Sequence, residues 1–450
     1  MPNGPRWNER VAAWWTAPMR SRHAYAVAAL LGLATYLIVY GPGHLFGTSP
    51  YWDLPQYDSR AYLIGYRYFL HEPWHWPLFV THTMNVPYPK SIAFSDSIPL
   101  FALINKAIAT VIPPWSDFTS HAYLGLWHAM RYALQPCLGV AILRQLGQRN
   151  RGEAIVTSVF FLAVPSWIFR YGHAALSAHF LILWAFYLYL RTPPRARPTR
   201  RLALAWLGQL VVVTLVNPYH AVISFGFFVA AVLRSRRWWS LVLLPCGAGL
   251  VGLAMWFGGY ISHDATVRLS GFDVASTNVL SMFASPRSGI FGDMGWLANT
   301  DATHFQYEGM AYLGLGCLIL LAACATQVRS VGAAIRRHPF LFAFALAAWL
   351  LALSDHVYAG SHLVVAYELP RRLHWITDEF RSPGRFVWIP MYVLIAYLLH
   401  SGLKRFSSGW RLAVLPVLAL VQLADARGDW SYEHSCTQRP FAPVLEPEPW

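Results

Sequence analysis

The chain has 450 residues, of which 56% are hydrophobic and only 12% charged. That is about half the charge of an ordinary soluble domain, which excludes that class and points to a membrane protein. A formal net charge of +14 does not indicate nucleic acid, because the arginines stand in short clusters between apolar runs and no basic face is interleaved with exposed aromatics.

In chain order, Arg6, Arg10, Arg20 and Arg22 precede the first apolar run, Tyr25 to Tyr40. No small-x-small cleavage site follows it, only Gly41-Pro42-Gly43-His44, so an uncleaved signal anchor with a cytoplasmic N-terminus is expected. A spanning helix needs about 20 mostly apolar residues. The hydrophobic pattern places spans near 24–46, 119–143, 152–169, 174–190, 202–217, 220–233, 239–257, 310–326, 339–354, 386–400 and 411–425. The expected fold is therefore an all-α polytopic bundle of about eleven transmembrane helices.

The run Ile98 to Pro113 is set apart. It holds Asn105 and Lys106 and stops at Pro113-Pro114. Were it to span, the basic loop Arg144, Arg149, Arg151 and every later basic cluster would change sides. Read as an interfacial helix, it leaves all the clusters cytoplasmic. These are Arg191 to Arg201, Arg234 to Arg237, Arg329 to Arg337 and Lys404 to Arg411, so that 21 of the 35 Lys and Arg lie inside. The membrane domain then covers 1–425, and a periplasmic tail covers 426–450. Outer segments lie at 47–118, 258–309 and 355–385. In the first, Asp58 to Leu70 reads as an amphipathic helix with Tyr62, Tyr66 and Phe69 on one stripe and Arg60 and Arg67 off it. Pro193 to Pro198 is a solvated connector, and no internal repeat is evident. The cysteines, Cys137, Cys246, Cys317, Cys324 and Cys436, show neither a disulfide framework nor metal-ligand spacing.

Charges near the outer ends of spans are costly unless paired or wet, so each is a functional candidate. The acids are Asp53, Asp58 and Asp96. The bases are Arg170, His173, His220, Arg381 and Arg385. A carboxylate with suitable reach takes a proton from an attacking hydroxyl. Guanidinium groups bind a phosphate bidentately and steady the charge that grows as it leaves. Plainer roles stay open: Asp58 and Asp96 as helix caps, and Arg170 and Arg385 as anchors snorkelling to headgroups. His173 and His179 are six apart, which is not ligand spacing on one helix face, so no metal site is assigned there. Arg131, in mid-span with His128 one turn earlier, must face the bundle interior, in a structural or a binding role.

Several stretches carry a resemblance. They are Asp58-Ser59-Arg60-Ala61-Tyr62-Leu63-Ile64-Gly65-Tyr66, Pro73-Trp74-His75-Trp76-Pro77-Leu78 and Ser91-Ile92-Ala93-Phe94-Ser95-Asp96-Ser97-Ile98-Pro99-Leu100. Further on come Arg170-Tyr171-Gly172-His173-Ala174-Ala175-Leu176 with His179, Tyr307-Glu308-Gly309-Met310-Ala311-Tyr312-Leu313-Gly314-Leu315-Gly316, and Phe380-Arg381-Ser382-Pro383-Gly384-Arg385-Phe386. With these the chain resembles an uncharacterised family of bacterial multi-pass inner-membrane proteins, itself similar to the GT-C-type glycosyltransferases. The resemblance implies a GT-C-like bundle whose first outer loop carries a catalytic acid and two helices lying along the membrane. It also implies transfer of a sugar, with inversion, from a polyprenyl-phosphate donor to a glycan, lipid or protein acceptor on the periplasmic face. Asp58 is then the base and Asp96 a second acid. Arg170, His173, Arg381 and Arg385 hold the phosphate, and Asp53, Tyr62, His220 and Glu308 complete the substrate-binding set. No cofactor is assigned; a divalent metal stays open. The rival readings are a lipid or solute transporter, or a ligase or polymerase of lipid-linked glycans.

Overall fold

The computed structural model describes residues 7–53, 55, 57–261, 271–297, 299–370, 372, 377, 380–405 and 408–438. It is mostly helical. The helices are α1 (Trp7–Thr16), α2 (Ser21–Leu45), α3 (Tyr57–His71), α4 (Pro99–Val111), α5 (Pro114–Gln145), α6 (Arg151–Leu162), α7 (Pro165–Phe169) and α8 (Phe180–Arg191). They continue as α9 (Arg200–Thr214), α10 (Pro218–Ser235), α11 (Leu243–Phe257), α12 (Leu315–Cys324), α13 (Val328–Arg337), α14 (Pro339–Leu353), α15 (Trp388–Arg405) and α16 (Ser408–Thr437).

Each of the eleven apolar segments contains a helix, but many are short. Among the described residues, three helices are both long and apolar enough to cross a membrane: Ser21–Leu45, Pro218–Ser235 and Ser240–Phe257. A pair bent by 103°, Leu315–Cys324 with Arg329–Arg337, makes a fourth if taken as one span. The count therefore falls short of eleven for a physical reason. Long helices such as α5 carry polar side chains turned inward, among them His128, Arg131 and Gln135, all buried. Others are broken, as between α6 and α7, where Pro165 opens a new helix at its first position.

Two small antiparallel sheets depart from the all-helical expectation. They pair β1 (Val80–Thr81) with β2 (Lys90–Ser91), and β3 (His356–Ala359) with β4 (His362–Ala366). Both lie in segments read as outer loops, where backbone groups outside helices still need partners. Gly360, at φ +63, turns the second hairpin and exchanges two hydrogen bonds with the Asn278 side chain, at 2.8 and 3.0 Å.

Close packing of α2 on α5 sets the centre of the bundle. A Cβ on Gly32 would stand 2.0 Å from the Tyr132 carbonyl oxygen. Arg131 lies fully buried among the rings of Tyr132, Trp167 and Tyr171, 5.0–5.3 Å from each. The basic clusters gather at one end. There Arg144 reaches Ser21 Oγ and the Met19 carbonyl, the Arg195 N–H donates to the Arg234 carbonyl, and Arg234 Nη1 donates to the Tyr189 carbonyl. At the opposite end Ser49 Oγ donates to the Thr437 carbonyl, which ties the start of the first outer segment to the end of α16.

Candidate functional site

Helix α3 begins at Tyr57, so Asp58 lies inside its first turn and not at the cap. Its Oδ2 meets His173 Nε2 at 3.0 Å. The capping alternative therefore gives way to a side-chain contact between residues 115 positions apart. His173 reaches it because the chain leaves α7 in a tight turn, with the His173 N–H donating to the Arg170 carbonyl at 3.0 Å. The hydrogen bond from His173 holds the Asp58 carboxyl below the usual range, against the opposing effect of partial burial.

Asp96 is not the N-cap of α4 either. It ends the turn Ile92–Ser95 in the left-handed region at φ 53, and the residue at the N-cap of α4 is Ile98, also at φ 53. A buried β-branched residue in that region stores strain of about 1–3 kcal/mol. Hydrogen bonds hold the segment there: Ser97 Oγ donates to the Tyr62 carbonyl at 2.8 Å, and the Tyr123 hydroxyl to the Ser97 carbonyl at 2.6 Å. Burial raises the Asp96 carboxyl, while Arg385 and Arg381 oppose the rise and the Asp58 charge adds to it. The Tyr62 hydroxyl, pushed up by burial, feels both Asp96 and Asp58.

Glu308 is the hub of the basic side. Its Oε2 accepts Arg385 Nε at 2.9 Å and meets Arg170 Nη2 at 3.1 Å, and Arg170 Nη2 also donates to the Tyr307 carbonyl at 2.6 Å. Burial works against ionisation of Glu308, but Arg170 and then Arg385 outweigh it and bring its carboxyl down to about 2. Glu308 is clamped on the two arginines through its Oε2. The arginines keep capacity: Arg170 Nη1 is buried without a partner, and Arg385 spends only its Nε on Glu308 among the described residues. Arg170 is 1% exposed, too deep for an anchor that snorkels to headgroups.

Two glycines bring the motifs into register. A Cβ on Gly384 would stand 2.7 Å from Gly309 Cα, and one on Gly309 would stand 2.6 Å from Thr277 Cα. Only bare backbones let the turn Pro383–Val387, with Arg385, approach Glu308.

Asp58, Tyr62, Asp96, Arg170, His173, Glu308 and Arg385 are thus brought together, with exposed Arg381 acting on Asp96 from the rim. Two candidates are not. Asp53 is exposed, and its charge acts on Arg67. His220 is fully buried, with Nε2 2.9 Å from the Leu176 carbonyl oxygen, and supports the wall from behind. Its neighbour Tyr219 was missed. The Tyr219 ring lies 4.4 Å beneath the Arg385 guanidinium, and its hydroxyl accepts the Ser382 N–H at 3.2 Å. Its signal was its place beside the proline that opens α10.

One space adjoins Arg170 and His173, and a second lies along α5. A cavity of about 260 Å³ is lined by Tyr51, Arg170, His173, Arg287 and Tyr432 among others. A larger apolar groove of about 660 Å³ runs along α5 from Trp127 to Ala141, with Leu100, Phe101 and Val216 among its walls. At 1.5 Å per residue that path is about 21 Å long. Its Leu100 and Val216 lie two residues and one residue from Ile98 and Asn217. The Leu100 N–H donates to the Leu215 carbonyl there.

Residues 29–427 match the family model described as Domain of unknown function (DUF6311), and the chain belongs to that family. No curated protein and no solved structure matches it.

Proposed function

We propose that the chain is a glycosyltransferase of GT-C-like architecture in a bacterial inner membrane, with its site on the periplasmic face. It would transfer a sugar, with inversion, from a polyprenyl-phosphate donor to a glycan, lipid or protein acceptor. The observation that carries this reading is the meeting of Asp58–His173 with the Arg170–Glu308–Arg385 clamp, from segments separated by up to 327 positions.

In this reading the acceptor hydroxyl attacks the anomeric carbon and Asp58 takes its proton. The bond from that carbon to the phosphate oxygen breaks, and polyprenyl phosphate leaves with the electron pair. Arg170 Nη1, the terminal nitrogens of Arg385 and the rim residue Arg381 steady the growing charge. Asp96, whose carboxyl burial raises against the opposing arginines, faces the sugar or the phosphate as the second acid. The apolar groove suits the prenyl tail. The eleven helical segments, the cytoplasmic basic end and the periplasmic C-terminus belong to the same proposal.

The test is Asp58→Asn in purified protein given a polyprenyl-phosphate sugar. The expected result is loss of transfer with a nearly unchanged melting temperature, since this side chain is 52% exposed. Full activity in the variant removes Asp58 from the mechanism and favours a lipid-linked glycan ligase. Arg131, buried without a carboxylate at ion-pair distance among the described residues, favours a second reading as a lipid or solute transporter. Counterflow of labelled lipid in vesicles without sugar transfer distinguishes it.

A further inference from the structure

The far end of α3 carries a cluster that sugar transfer does not use. Glu72 follows the last turn of the helix, His75 lies in the Pro73–Pro77 loop, and His82 follows β1. Glu72 Oε1 stands 3.2 Å from His82 Nδ1 and 3.6 Å from His75 Nε2, and the three ligand atoms all lie within 4.8 Å of one another. From these we infer that Glu72, His75 and His82 form a divalent metal site of zinc type, with two neutral imidazoles, one carboxylate and an open fourth position.

Geometry argues for it first. Tetrahedral zinc with bonds of about 2.0–2.1 Å places its donor atoms about 3.3 Å apart, close to both separations from Glu72 Oε1. The carboxylate is already oriented as a metal ligand is by its surroundings. Thr83 Oγ1 donates to its Oε2 at 2.7 Å, and the His82 N–H to its Oε1 at 3.1 Å. The side chain of Glu72 is 5% exposed and that of His82 53%, so the site is anchored in the protein and open to water on one side.

His75 supplies the independent observation. Its Nδ1 is buried without a partner, and its Nε2 has only the 3.6 Å contact with Glu72, longer than a hydrogen bond. A buried imidazole nitrogen left unpaired is unfavourable, and the structure around it offers no protein partner among the described residues. A metal on Nε2, the nitrogen that faces Glu72, would fix the orientation of the ring. The frame is rigid for this purpose. Lys106 Nζ, on α4, donates to the Phe69 and Glu72 carbonyls at 2.8 and 2.7 Å, and Trp74 Nε1 donates to Thr110 Oγ1 at 3.1 Å. The ion would join the end of α3 to the β1–β2 hairpin, about 20 Å along the helix from Asp58 by helical rise. Its role is to fasten the outer segment, separate from the reaction.

The experiment uses the full chain in detergent, with any affinity tag removed and metal stripped by chelator. After dialysis against ZnCl2 and metal analysis, about one Zn2+ per chain is expected. An excess of Mg2+ or Ca2+ does not displace it, because those ions prefer all-oxygen ligands. Zn2+ raises the melting temperature of the wild-type chain. The double variant His75→Ala/His82→Ala retains less than about a tenth of the metal and shows no shift. Its melting temperature without metal should equal that of the stripped wild type, which separates lost binding from lost folding. The single variant His82→Ala, at an exposed ring, repeats the test if the double variant folds poorly. Equal zinc in wild type and variants, or none in the wild type, overturns the site. Asp58→Asn keeps full zinc binding, so this proposal and the glycosyltransferase reading fail independently.

Discussion

The charge of Glu308 decides how two arginines coexist in the wall of the site. Side chains that are 1% and 9% exposed would repel one another in a poorly solvated space without an acid between them. Removing one partner of such a buried set leaves an uncompensated charge. Glu308→Gln should therefore destabilise the protein by about 3 kcal/mol at neutral pH, read as a shift in denaturant midpoint. The pH dependence has a definite sign. The Glu308 carboxyl is lowered from 4.5 to about 2, so its contribution is fully present above the unfolded value and is lost as pH falls through about 2. Wild type should lose stability relative to Glu308→Gln across that acid window, and parallel curves for the two proteins would refute the clamp. At this scale the sequence was informative about residue type and silent about pairing. It singled out Asp58, Arg170, His173 and Arg385, but no pattern in one dimension told that Glu308 would face the arginines or that Asp58 would be held by His173.

Among the elements, the turns matter more than the helices they join. Gly309 and Gly384 each adjoin a charged residue of the site, and their backbones approach too closely for a Cβ. Gly384→Ala must push the turn Pro383–Val387 away from Glu308. Overpacking of this kind costs about 1–3 kcal/mol, and here the displacement also separates Arg385 from its acid. We expect lowered stability and a greater loss of the proposed sugar transfer than the stability change explains, compared with Gly332→Ala on α13, where the nearest atom is 3.5 Å away. Equal behaviour of the two variants would show that the close approach is dispensable. The short helices α3 and α4 were legible from periodicity and from the double proline, because their apolar stripes are local. The left-handed residues Asp96 and Ile98 were not. Neither is glycine, and the hydrogen bonds that hold Ser97 between them are made with Tyr62 and Tyr123, both remote in sequence.

The molecule as a whole separates its charges. Basic loops meet at one end of the bundle, and the Asp58–Glu308 site lies among segments read as the other, with the apolar groove along α5 between the two. If the groove receives a prenyl tail, Leu134→Arg should raise the apparent KM for a long-chain donor severalfold and leave a short, water-soluble donor little affected, because one charge among lipid contacts costs about 2.5–3.5 kcal/mol. An equal effect on both donors would assign the groove to packing alone. Hydrophobic runs and charge clusters, which act locally, were enough to indicate a helical chain with segments apolar enough to cross a membrane and to nominate most of the candidate site. The number of helices long enough to span, the two hairpins, the place of Tyr219 and the removal of Asp53 and His220 from the site were decided only by tertiary structure. They depend on how helices break to bury inward polar groups and on which remote backbones meet, and neither is written in any one stretch of the sequence.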